Sequence, residues 1–339
     1  MSKINIRSPY LINTTVANLT SAKIDLYIYS GTQTTSRGAV TYSLDSNAFN
    51  NEVTFEISEF VKDFLIVSFD GSYVPQNIFV DYQITHYVSE VAQTPEAFIQ
   101  LTAFDGYGYF EEGSNPELNV DLLQANTIMY NYTGSTLKIP VDTNNTANVT
   151  FYSGATQLQN TNITSSNLSN EQIQYVSFAG SATSAIITDS VASTTTIIID
   201  NVDECKFAPY KITFINKFGA LQDLWFFKRS DTTITTSDDR YKANILTSGA
   251  YSISDHQSKI LTKSGNEKIS LNSGFVDEQF NEVFRQLFLS EKVWIKINSQ
   301  TLPVLLSSSS LPFKSQLNDK LINYTIELEY AFDKINNIR

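Results

Sequence analysis

The chain has 339 residues and a formal net charge of −12, from 35 acidic against 23 basic side chains, with 17% charged residues. Its length points to two or three domains, and an acidic balance without any Lys/Arg cluster excludes a nucleic-acid role, because phosphate binding draws on clustered cations. The single cysteine, Cys205, excludes an intramolecular disulfide framework.

The low charge is made up by Ser, Thr and Asn. A neutral polar surface repels its own copies less than a charged one, which suits a protein packed against other subunits. The first fifteen residues lack the apolar core of a signal peptide, and no run of ~18 apolar residues is present, so the expectation is synthesis in a cytoplasm without membrane insertion. Asn-x-Ser/Thr triplets at Asn13, Asn18, Asn131, Asn148, Asn162, Asn167 and Asn323 follow from composition in such a chain.

In chain order, AKIDLYIYSG (22–31) alternates as a half-buried strand, with Ile24, Leu26 and Ile28 on one face. TYSLDSNAFNNEVTFEIS supplies two short strands around an Asn-rich turn. NIFVDYQITHYVSEV and EAFIQLTAFDGYGYF supply two longer ones, the second continuing through its tyrosines. This pattern predicts a β-sandwich of the fibronectin or immunoglobulin kind over 1–115. Within it, Ile57, Phe60, Val61, Phe64 and Leu65 fall at i, i+3, i+4, i+7 and i+8, a helical stripe with Ser58 as its cap. It reads as a helical crossover plugging one end of the sandwich.

Residues 120–203 hold hardly any Lys or Arg, and short Val, Phe and Ile runs between turn residues predict a small Thr/Asn-rich β domain. The third block, 205–339, opens with PYKITFIN and LWFFKRSD as paired strands around the tight connection NKFGALQD. In the second strand Trp225 and Phe227 share one face and Leu224 and Phe226 the other, so both faces need cover, as in a central strand. KILTKSGNEKISLNSG reads as a hairpin turning at Ser264-Gly265-Asn266. A helix over about 275–290 follows, striped by Phe280, Val283, Phe284, Leu287 and Phe288, with Asp277 and Glu278 in its first turn. The fold class is therefore mainly β with a minor α+β part: tandem β-sandwich domains, then an antiparallel sheet packed by one helix.

No catalytic constellation emerges. His86 and His256 stand 170 positions apart without a companion at metal-ligand spacing. Nucleophile elbow, P-loop and dinucleotide motifs are absent. The acid pairs Glu111-Glu112 and Asp238-Asp239 read as exposed loop residues, because sequence neighbours point apart whereas glycosidases need facing carboxylates. Acids near 201–204 and 236–239 lack the spacing of a calcium loop. No enzyme, cofactor or metal is expected. The residues expected to carry core packing and assembly are Trp225, Phe226, Phe227, Phe280, Phe284, Leu287 and Phe288.

Several long strings carry a resemblance. IRSPYLI, LYIYSGTQTTSRGAVTYSLDSNAFNNEVTFEISEFVKDFL and FDGYGYFEEGSN near the amino terminus resemble tail-associated structural proteins of tailed bacteriophages, particularly those of Bacteroidetes hosts. PYKITFINKFGALQDLWFFKRSD, SGFVDEQFNEVFRQLFLSEKVWIKINSQTLPV and LINYTIELEYAFDKINNIR look like the same group. The resemblance implies a non-enzymatic virion subunit of the tail, baseplate or adaptor region, made in the bacterial cytoplasm and assembled as a ring with itself and neighbouring virion proteins. The alternative is a receptor-binding fibre or spike module whose partner is a host-surface glycan held by exposed aromatics.

Overall fold

The structure, a computed structural model, describes residues 2–33, 35–116, 120–164, 172–310, 312 and 321–335. Among these the chain is mainly β, with 22 strands, two α-helices and one 3-10 turn.

The first block runs β1 (Ser2–Asn5), β2 (Leu11–Thr15), β3 (Leu19–Tyr29), β4 (Tyr42–Asn47), β5 (Glu52–Glu56), α1 (Ser58–Lys62), β6 (Asn77–Val88), β7 (Val91–Ala92) and β8 (Ile99–Phe104). The order β1-β8-β6-β3-β4, with β7 beside β6, forms one layer, and the β2-β5 ribbon forms the other. Alternation in β3 turns Ala22, Ile24, Leu26 and Ile28 inward, against Ile12, Phe55, Ile57 and Val61. The sandwich is thus six strands over two, with β1 and β8 parallel, rather than the four-over-three of a constant-type immunoglobulin domain.

Three local expectations change here. Helix α1 has only five residues, and Ser58 lies inside it: Ile57 is the N-cap, while the Ser58 amide and hydroxyl both donate to the Glu56 carboxylate. Phe64 reaches Tyr42 edge-on from beyond the helix, so tertiary contact completes the stripe that periodicity assigned to helix. The strand expected to run through the tyrosines stops at Phe104, and Phe110–Glu112 form a 3-10 turn.

The second block runs β9 (Ile128–Tyr132), β10 (Thr136–Asp142), β11 (Thr146–Ser153), β12 (Thr156–Asn162), β13 (Ile173–Ala179), β14 (Ser184–Asp189) and β15 (Thr194–Val202). A five-stranded sheet, β12-β11-β14-β15-β9, faces the β10-β13 pair. Ile139, Val141, Val149, Phe151, Ile187 and Ile197 fill the space between them, with Phe151 stacked on Phe178 at 4.7 Å.

The third block comprises β16 (Tyr210–Ile215), β17 (Leu221–Phe226), β18 (Asp231–Lys242), β19 (Ser258–Asp277), α2 (Phe280–Leu289), β20 (Val293–Ile297), β21 (Gln300–Leu306) and β22 (Leu321–Tyr330). Its seven strands pair antiparallel in the order β17-β16-β20-β21-β22-β19-β18. Helix α2 lays Phe280, Val283, Phe284 and Leu287 on the face that carries Ile212, Phe226, Ile295, Ile326 and Leu328.

Strand β17 is an edge strand of this sheet, not a central one. Leu224 and Phe226 on one face are covered by α2, and on the other face Trp225 is half-buried beside Tyr132 of the second block. The turn expected at Ser264-Gly265-Asn266 is absent: β19 runs unbroken for 20 residues, and Gly265 sits in the ladder opposite Thr236. Gly265 is not among the glycines with positive φ, so the Ser-Gly-Asn signal is not spent on a turn. Helix α2 begins at Phe280, later than the expected 275, because β19 continues to Asp277. The Asp277 carboxylate instead accepts a 3.0 Å bond from the Gln279 amide ahead of the helix.

Candidate functional site

Three features outside the regular sheets bear on function: a sealed joint, a cleft beside it, and a bare ribbon.

The joint is the turn from β16 to β17. Asn216, fully buried, accepts bonds at Oδ1 from the amides of Phe218 (3.0 Å) and Ala220 (3.1 Å) and donates from Nδ2 to Leu123 O at 2.7 Å. One side chain therefore folds the turn and ties it to the second block. Gly219 has φ +74°, and a Cβ there would stand 2.8 Å from the Phe104 Cβ and 3.1 Å from the Asp105 amide nitrogen. Ala220 completes a small apolar cluster with Phe104, Leu123 and Ile173, which joins all three blocks.

Around this turn the charges are paired. The Tyr107 amide donates to Lys217 O at 3.0 Å, and the Lys217 ammonium pairs with Glu112. Burial works to raise the Glu112 carboxyl, but hydrogen bonds from Lys217 and the Tyr109 amide outweigh it and hold the group below its ordinary range. Arg7 donates to Leu289 O at 2.6 Å and pairs with Glu291 at 3.2 Å. Lys62 reaches the same Glu291 at 3.0 Å. A further seam places Val67 and Phe69 of the first block on Trp294, with Phe69 edge-on at 5.5 Å.

The cleft, of about 550 Å³, opens where Tyr73, Lys138, Lys211, Trp225 and Lys296 approach from the three blocks. Register explains part of it: Lys211 lies opposite Trp225 on one side and Lys296 on the other, so the three share the sheet face that α2 does not cover. The Lys211 ammonium donates to Asp223 at 2.9 Å and to the Tyr73 hydroxyl at 2.7 Å. Thr213 also donates to Asp223, at 2.7 Å. Lys138 lies 5.3 Å from the Tyr73 ring centre. Burial holds its pKa below the ordinary lysine value, with Asp223 opposing and Lys211 adding to the depression.

The ribbon is formed by β18 and the outer half of β19. Strand β19 meets β22 only from Lys268 onward, so β18 is the one described strand its preceding ten residues pair with, and Asp333 and Lys334 brace Ser264, Gly265 and Glu267 at the base. At the strand rise these ten residues make about 30 Å of two-stranded ribbon. Eleven of the twelve β18 residues are exposed, as are residues 258–263 of β19. Ile234, Tyr241, Ile260 and Leu261 on the ribbon are 47–69% exposed, and Ile253 in the connecting loop is 96% exposed.

The expected packing residues divide among these places. Phe226, Phe280, Phe284 and Leu287 lie together in the sheet-helix core, Phe288 is half-buried at its edge, and Phe227 is buried just past the end of β17. Trp225 points the other way, half-buried in the cleft, 5.7 Å from Tyr132 and stacked on Phe227 at 6.3 Å.

His86 is buried between layers, 2.6 Å from the Thr14 hydroxyl; His256 is exposed in the loop after β18. Asp238 and Asp239 lie within β18 rather than in a loop, paired separately with Arg240 and Thr262. Among the described residues no three His, Cys, Asp or Glu side chains converge as a metal-binding group.

Tyr73 and Lys138 gave no sequence signal, since their partners lie on other elements. No protein-family model matches the chain, and no curated protein matches it significantly. Among the described residues no helix is long and apolar enough to cross a membrane.

Proposed function

We propose that the chain is a non-enzymatic structural subunit of a tailed-bacteriophage virion, in the tail, baseplate or adaptor region, which assembles as a ring with copies of itself and with neighbouring virion proteins. The observation that carries this reading is the β18–β19 ribbon. An isolated two-stranded ribbon is marginal in water, and this one leaves Ile234, Tyr241, Ile260 and Leu261 exposed close together along its length. A neighbouring subunit that covers the ribbon removes both liabilities. A contact between a projecting ribbon and a different face of the next copy is head-to-tail, the kind that closes into rings.

The joint supports the same reading, because Leu123, Phe104, Ile173 and Ala220 tie the three blocks together beside the ribbon-bearing sheet. Light scattering and negative-stain electron microscopy of the purified protein test it, together with mass spectrometry of virions. Closed rings are expected, and a variant with residues 238–263 replaced by Asn-Gly, which joins the paired positions Ser237 and Ser264, is expected to be monomeric and to keep a cooperative unfolding transition. A protein that stays monomeric at every concentration and is missing from virions would overturn the proposal.

A further inference from the structure

The cleft at the meeting of the three blocks has a composition unlike the rest of the molecule. Three ammonium groups, those of Lys138, Lys211 and Lys296, line it in a chain of net charge −12. Asp223 accounts for Lys211. Among the described residues, neither Lys138 nor Lys296 has a carboxylate within ion-pair distance, and none of the lining residues is acidic. The cleft thus keeps two uncompensated positive charges, one of them on a partly desolvated side chain. An anion brought into it would be attracted by both and would relieve the desolvation of Lys138.

The walls specify more than charge. Trp225, Tyr132 and Tyr73 line the cleft, Trp225 lying 5.7 Å from Tyr132 and stacked on Phe227 at an interplanar angle of 19°. Ser135, Thr136, Asn298 and Ser299 form a hydroxyl- and amide-bearing side. The volume of about 550 Å³ falls within the range of small-ligand sites. A flat apolar wall, scattered neutral hydrogen-bonding groups and two ammonium groups without a carboxylate partner among the described residues, Lys138 bonded to the Ser177 hydroxyl, match a ring that has an apolar face, many hydroxyls and a few acidic substituents. The chain's overall negative charge opposes a dense polyanion such as nucleic acid.

We infer that this cleft binds an anionic saccharide, a sugar chain bearing carboxylate or sulfate groups. The sugar face lies against Trp225, and the acidic substituents meet Lys138 and Lys296. Binding is independent of assembly, because every residue of the cleft comes from one chain, so its failure would leave the ring proposal standing.

Calorimetric titration of the full chain tests this with oligogalacturonate, a sulfated dextran oligomer, a neutral maltose oligomer of matched length, a poly-Glu peptide and oligo-dT. The inference expects saturable binding of at least one acidic saccharide, weakening as salt rises, and no comparable binding of the neutral oligomer. The double substitution Lys138→Gln with Lys296→Gln should weaken it about tenfold or more. Trp225→Leu should weaken it too, with circular dichroism showing that both variants stay folded. Failure of both acidic saccharides to bind would overturn the inference. Equal binding of the neutral oligomer, insensitivity to the lysine substitutions, or stronger binding of the peptide or the oligonucleotide would overturn it as well.

Discussion

The joint at residues 216–220 and the β18–β19 ribbon both leave the regular sheets, and each contains a glycine with positive φ, Gly219 at +74° and Gly249 at +83°. At Gly219 the backbones of two blocks leave no room for a Cβ, whereas nothing lies within 4 Å of the Cβ position at Gly249. The same residue type thus answers two demands. In the joint it permits close approach, and in the loop it permits only a turn. Polar groups differ in the same way: Asn216 is wholly buried and fully bonded, while the ribbon shows apolar side chains to water. Asn216 finds its partners within one chain, whereas the ribbon leaves isoleucine, leucine and tyrosine in water.

That contrast can be broken by mutation. The largest loss is expected for Phe284→Ala, which empties a fully buried site between α2 and the sheet and should lower unfolding free energy by about 3–5 kcal/mol in urea titration. Gly219→Ala should follow at about 2–4 kcal/mol, from left-handed backbone strain and overpacking against Phe104. Gly249→Ala should lose only about 1 kcal/mol, from backbone strain alone; equal losses at the two glycines would erase the distinction. Trp225→Ala should lose about 1–2 kcal/mol, because the ring is half-buried, less than a fully buried tryptophan would lose.

Acid should act on the joint. Glu112 and Glu291 are both held below their ordinary value of 4.5, burial opposing and lysine or arginine partners prevailing. Their stabilisation is therefore present above that value and is lost as pH falls through the lowered folded-state pKa. Asp105 runs the opposite way: burial raises its carboxyl above 3.8, with Arg7 opposing, so its protonation on acidification offsets part of the loss. Denaturation midpoints should fall between pH 6 and pH 3, and Glu112→Gln should flatten that fall. The smallest effect on stability is expected for Ile253→Ser in the exposed loop, within about 0.5 kcal/mol, yet light scattering should show loss of the assembled species.

How much could be read in advance depended on whether a signal was local. Alternation in AKIDLYIYSG and the stripe Phe280, Phe284, Leu287 are local, and both mark buried faces in the structure. The Ser-Gly-Asn turn signal was also local but was overridden, since Gly265 can lie in an extended ladder when a partner strand is present. Trp225 and Phe226 are neighbours with identical apolar character, and only tertiary contacts send one into the core and the other into the cleft. The cleft was illegible because its residues run from Gly71 to Ser299, and no window holds enough of them to form a pattern.

By itself, then, the sequence determined the mainly β class, the single apolar helix in the last block and the scarcity of charge, because periodicity and composition act over a few residues or over the whole chain. Tertiary structure alone decided that β17 lies at an edge, that three lysines converge beside Trp225, and that one strand of 20 residues extends past its sheet. Those outcomes depend on which distant segments pair, and pairing is set by the burial available to the whole chain rather than by the residues at either partner alone.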